Sequence, residues 1–180
     1  MKYDLNEAIM EYLRAASSGK LYVVHDSEEA IAAQKVLLSR LPEDVSDPEV
    51  YHCWLREICA EQDGESLDAM LILAQAFRLF DAETISILAQ VSCDDWHCMA
   101  EELVAIFEEH KTDATSDVLF KMALSRYPGQ YYSDDDNGIV ARKAVWALWR
   151  MDEIEMIEQL AESDDEIAAG YARKQLRRLK

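Results

Sequence analysis

Apolar residues recur at helical spacing along most of the chain, and the last third shows this most clearly. Behind Asp136, Asn137 and Gly138, the residues Ile139, Val140, Ala144, Ala147, Leu148 and Met151 return at three- and four-residue intervals. A turn at Asp152 separates them from Ile154, Ile157, Leu160 and Ala161. A second turn at Ser163, Asp164 and Asp165 leads into Ile167, Ala168, Ala172, Leu176 and Leu179. Aligning Asp136 with Asp164 places Ile139 on Ile167, Ala141 on Ala169, Ala144 on Ala172 and Leu148 on Leu176. One helix signature is written twice, which is the mark of a helical repeat.

The same periodicity predicts helices upstream. Asp4 or Asn6 is placed to cap a first helix through Arg14, with Leu5, Ile9, Tyr12 and Leu13 on its apolar face. Residues 21–24, LYVV, read as an extended connector. Asp26 and Glu29 have capping-box spacing and open a helix to Leu41, with Ala30, Ile31, Ala33, Val36, Leu37 and Leu38 apolar and Pro42 as its stop. Asp47 and Pro48 start a helix to Gln62 that buries Cys53, Trp54, Leu55 and Ile58. Asp63 and Gly64 break the chain before an apolar helix over residues 66–80, whose Leu67, Met70, Leu71, Leu73, Ala74, Phe77 and Phe80 imply burial on more than one side. Asp81 caps residues 82–91, Asp94 or Asp95 caps 96–110, and Thr112, Ser116 and Asp117 start 118–127. The polar loop 130–138 then leads into the repeat. Ten helices in five hairpins make an all-α chain, with residues 1–180 as a single domain.

Composition narrows the partners more than the fold. Half the residues are hydrophobic, and five Gly and three Pro leave few helix breakers. No apolar run is long enough to cross a bilayer. The N-terminus lacks the basic start and apolar core of a signal peptide. The four cysteines, at 53, 59, 93 and 98, read as cytosolic thiols, which places the chain in the cytoplasm. The formal net charge is −18, and it is uneven: residues 43–136 hold 22 acids and 5 bases, whereas residues 137–180 hold 8 of each. Such a surface repels phosphates and anionic membranes, so the expectation is no nucleic acid and no membrane. It attracts a basic protein, fastest at low salt.

Candidate chemistry is sparse. Cys93, His97 and Cys98, with His110 further on, form the best metal candidate, but no paired C-x-x-C unit completes a four-ligand site. The run SDDDNG, residues 133–138, has calcium-loop spacing with Gly138 at its sixth position. Ala144 then stands where a bidentate Glu is needed. There is no Gly-rich phosphate loop and no nucleophile elbow. His25 and His52 have no partner recognisable in sequence. The expectation is therefore no catalytic residue, no cofactor and no metal. On the last repeat, Arg142, Trp146 and Trp149 fall on the face opposite Val140, Ala144, Ala147 and Met151. They serve either as interaction anchors or as packing against a neighbouring hairpin.

The run Val140, Ala144, Ala147, Leu148, Met151 resembles the second helix of the HEAT-like repeat family. Ala168, Ala172, Leu176 and Leu179 match it with Gln175 in place of the second Ala, and Trp96, Ala100, Leu103 and Phe107 match loosely. The usual Arg after the first Val is replaced by Ala141 and Ala169. The resemblance covers the chain from Asp81 onward and implies a right-handed α-solenoid of about five hairpins. Small, acidic, all-helical chains of this kind are also similar in overall character to immunity proteins of bacterial toxin systems, including contact-dependent inhibition. That likeness implies a binding protein, monomeric when free, that covers the basic cleft of a cognate antibacterial nuclease toxin. The partner-facing residues are then Asp94, Asp95, Glu101, Glu102, Glu108 and Glu109, with Tyr131, Tyr132, Asp134, Asp135 and Asp136 in the adjoining loop and Trp146 and Trp149 on the last repeat. A scaffold built from the same repeats is the rival. A repeat enzyme, such as a lyase or a DNA glycosylase, is a further one, although a glycosylase needs a basic groove and this chain carries the opposite charge.

Overall fold

The structure is a computed structural model that describes residues 5–17, 27–127 and 136–179. Among these the chain is all-α: ten helices and one short 3₁₀ turn, with no strand. It divides into two compact units, Met1–Thr84 and Ile85–Lys180.

The first unit holds α1 (Leu5–Ser17), α2 (Glu28–Arg40), α3 (Pro48–Glu61) and α4 (Gly64–Phe77). α4 is its core. Leu67, Ala69, Met70, Leu71, Leu73, Ala74 and Ala76 are all buried, which spreads burial over more than half of the helix circumference and leaves Asp68 and Gln75 on the exposed side. α1 packs on α2 and α4, and α3 packs on α4. Phe77, expected in the core, is only half-buried, and Ile31, Val36 and Cys53 are exposed. The reason is register: α2 buries the narrow stripe Ala30, Ala33 and Leu37, and α3 turns Tyr51, His52, Trp54, Leu55 and Ile58 inward. His52 finds the partners its sequence context hid. Its Nε2 lies 3.0 Å from Asp81 Oδ1 and 3.2 Å from Thr84 Oγ1. Asp81 also accepts the Thr84 N–H at 2.8 Å, capping the next helix as its position predicts.

The second unit begins within α5 (Ala82–Val91) and continues through α6 (Ala100–Glu109), α7 (Asp113–Leu124), α8 (Asp136–Arg150), α9 (Ile154–Glu162) and α10 (Glu166–Leu176) to the 3₁₀ turn Arg177–Leu179. α8 packs against α6, α7, α9 and α10. Ala141, Ala144 and Ala147 are fully buried there, and such small side chains let neighbouring helices come close. The duplicated signature buries equivalent positions in part: Val140 and Ala168, Ala141 and Ala169, Ala144 and Ala172 have no exposed surface, whereas Ile167 is exposed against a half-buried Ile139, and Leu176 is half-buried against a fully buried Leu148. Gln175, in the place of the second Ala, is buried as well.

Local hydrogen bonding shifts several helix starts from those expected. Ser27 receives the Ala30 N–H and α2 begins at Glu28, while the expected cap Asp26 lies outside the described residues. Residues 92–99 are not helical. The buried His97 ring accepts the Met99 N–H on Nδ1 at 3.2 Å and donates from Nε2 to the Val91 carbonyl at 2.8 Å, which holds a tight connection. Asp94 accepts from Trp96 Nε1 at 2.9 Å instead of capping, so α6 starts only at Ala100. α7 starts five residues before the expected Val118 because Thr112 and Thr115 form a reciprocal capping box. Gly64, expected as a breaker, opens α4 beneath the Asp63 cap. The left-handed residues that end α3, α4 and α8 are Gln62 (φ 56°), Arg78 (φ 59°) and Asp152 (φ 67°), none of them glycine.

Two stability measurements follow. Leu148→Ala, deep in α8, should cost about 2–5 kcal/mol in urea unfolding. Asp63→Ala should cost about 1 kcal/mol through the lost cap. Hydrogen bonds from Ser66 hold the Asp63 carboxyl below its ordinary pKa. A carboxylate depressed in the folded state contributes stability above its unfolded pKa and loses it as pH falls through the folded one. The gap between Asp63→Ala and wild type should therefore be full near neutrality and close below about pH 4. A gap that widens on acidification contradicts this account.

Candidate protein-binding surface on α6 and α8

α6 reads AEELVAIFEE and carries four carboxylates and no base. Ala100, Leu103, Val104 and Phe107 point into the core, the i, i+3, i+4, i+7 stripe of an amphipathic helix. That arrangement puts Glu102, Ala105 and Glu109 on the exposed face and leaves Glu101 and Glu108 half-buried at the edge toward α8. α8 answers with the residues its packing face leaves over. Arg142, Lys143 and Arg150 are exposed, and Trp146 keeps 41% of its surface.

Between the two helices runs a groove of about 290 Å³, floored by Val104 and Ala105 and lined by Glu101, Glu108, Arg142, Lys143 and Trp146. Two ion pairs cross it: Lys143 with Glu101, and Arg150 Nη1 with Glu108 Oε1 at 2.8 Å. Glu101 and Glu108 are seven residues apart, as are Lys143 and Arg150. Both spacings are two helical turns, about 10.5 Å, so the pairs form a ladder. Pairing in the same order also means that α6 and α8 run in the same direction. Trp146 stacks obliquely on Trp149 with ring centroids 5.3 Å apart, and the Arg178 guanidinium lies over the Trp146 ring at 5.4 Å from its centroid.

The acidic stretch and the aromatic last repeat, two separate candidates in sequence, thus share one surface. Glu101, Glu108 and Trp146 line the same groove. Glu102 and Glu109 form the free stripe beside it, joined to it through Ala105, and make no ion pair with a described residue. Glu101 and Glu108 differ from expectation in being neutralised within the chain. Asp94 is engaged with Trp96, and Asp95 is exposed. Tyr131, Tyr132, Asp134 and Asp135 lie outside the described residues, and Asp136 opens α8 with its side chain outside them too. Arg178 was not among the expected site residues. Matching seven-residue spacings of opposite charge in two predicted helices are the signal that reveals Lys143 and Arg150.

The metal candidate is not assembled. Both His97 ring nitrogens are hydrogen-bonded, Cys93 and Cys98 are exposed, and no group of three or more potential ligands converges among the described residues. No described helix is long and apolar enough to cross a membrane. Comparison with protein-family models, curated proteins and solved structures found no match to this chain.

The ladder is half-exposed, so solvent screens it and its stabilising effect is small. Arg150→Met should lower the unfolding free energy by less than about 1 kcal/mol. A loss of several kcal/mol in urea unfolding would show that Glu108 is held as a buried charge rather than as a rim charge.

Proposed function

We propose that this chain is a binding protein that neutralises a basic protein partner, as an immunity protein does when it covers the cleft of an antibacterial nuclease toxin. The observation that carries the reading is the stripe Glu102–Ala105–Glu109 beside the exposed Trp146. Unpaired carboxylates steer a basic partner, and an aromatic ring at a groove supplies apolar contact once it has docked. A nuclease cleft binds phosphates, so carboxylates in fixed array suit the same basic groups. The internal ladder refines the proposed contact set: Glu102, Glu109 and Asp95 are the acids available for recognition, whereas Glu101 and Glu108 shape the groove.

We also read the second unit as a HEAT-like α-solenoid segment. Its support is that, besides the neighbours α7 with α8 and α9 with α10, α8 also packs on α6 and α10, together with the parallel course of α6 and α8. Alternate helices in register are what stacked hairpins produce. In the first unit α1 meets α4, so the proposal covers the chain from α6 onward.

The test is the association rate against ionic strength for the wild type and a Glu102→Lys, Glu109→Lys variant, using a basic protein recovered at low salt. The double variant should associate more slowly with a flatter salt dependence while keeping its helical circular dichroism. The recovered protein should be a nuclease whose activity falls stoichiometrically with added chain. Equal slopes for both proteins would remove the electrostatic reading, and a bound partner with no activity to inhibit would point to a scaffold.

A further inference from the structure

We infer that Arg178, seated on Trp146, is an internal stand-in for an arginine of the partner, and that docking exchanges one guanidinium for the other on the same ring. The inference rests on the basic-partner reading above. An indole face attracts a cation through its quadrupole, most strongly when the charge lies within about 6 Å of the ring centre. Arg178 meets that condition at 5.4 Å, so the ring is already shaped and oriented for a guanidinium.

Arg178 is lightly held. It is exposed, stands on the three-residue turn Arg177–Leu179, and makes no ion pair with a described residue. Among the described residues its one hydrogen bond runs from Nη1 to Gln175 Oε1 at 3.2 Å. Gln175 is itself 5% exposed, so its Oε1 is an acceptor held in place that either guanidinium can use.

Occupancy favours exchange over addition. Arg178 already covers the Trp146 ring, so a second cation brought to the same face would meet its charge directly, whereas one that replaces Arg178 leaves the charge over the ring unchanged. The incoming group should be arginine rather than lysine. A planar guanidinium can stack on the ring and still direct an N–H toward Gln175 Oε1, whereas an ammonium is a compact point charge.

The experiment is calorimetric titration at low salt with nona-arginine and nona-lysine, which carry equal charge. The proteins are wild type, Trp146→Leu, Arg178→Ala and Arg177→Ala. The last removes the same charge without uncovering the ring. Wild type should prefer nona-arginine. Arg178→Ala should bind it about 2- to 5-fold tighter than Arg177→Ala does, the range expected for an exposed cation–π contact. Trp146→Leu, which keeps apolar cover, should lose the arginine preference. Identical affinities for the two arginine variants, or a preference that survives in Trp146→Leu, overturn the exchange while leaving the basic-partner reading standing. If neither peptide binds the wild type, that reading fails and the exchange fails with it.

Discussion

The second unit depends on how closely other helices can approach α8. Four helices pack against it, which is possible because Ala141, Ala144 and Ala147 present almost nothing beyond the backbone on the packed side. Val140, Val145 and Leu148 fill the space between them. A helix packed this way has few positions left for anything else. Those positions, at 142, 143, 146 and 150, carry two arginines, a lysine and a tryptophan. The location of the candidate surface is thus a consequence of packing: the core selects which face of α8 remains, and the remaining face looks onto the acidic edge of α6.

The charge ladder divides the acids of α6 into two kinds. Glu101 and Glu108 meet Lys143 and Arg150, which relieves repulsion along a helix that has four carboxylates and no base of its own. Glu102 and Glu109 lie one residue further round, about 100° away on the helix, and stay free. A net charge of −18 therefore overstates what a partner meets at the groove and understates how the free charge is arranged. Surface ion pairs add little to stability, so the ladder's main effect is on which carboxylates stay free to meet a partner.

Helix ends show where local chemistry could be anticipated and where it could not. Asp47 with Pro48, and Asp81, act as caps where their spacing places them, because an N-cap is a short-range contact written within three residues. The connection 92–99 was not foreseeable in the same way. Asp94 and Asp95 look like caps in sequence, yet His97 is buried and uses both ring nitrogens on backbone groups, one of them six residues back at Val91. A buried ring needs those partners, and burial is not a local property.

The sequence by itself determined that the chain is helical, where most helices lie, and that the motif at Val140–Met151 recurs at Ala168–Leu179. These follow from periodicity and small-residue spacing, which act over one or two turns. It also revealed the excess of acid and put Trp146 on the helix face opposite the apolar stripe, while its exposure came only with the structure. Only the tertiary structure decided which acids are free, because Glu101 and Glu108 are neutralised by residues 42 positions away. Only it placed Trp146 beside α6 and Arg178 above the ring, and only it gave His52 its partners Asp81 and Thr84. The physical reason is the same in each case. A helix pattern specifies which face is buried but not what covers it, and pairings across helices depend on which neighbours the core brings into contact.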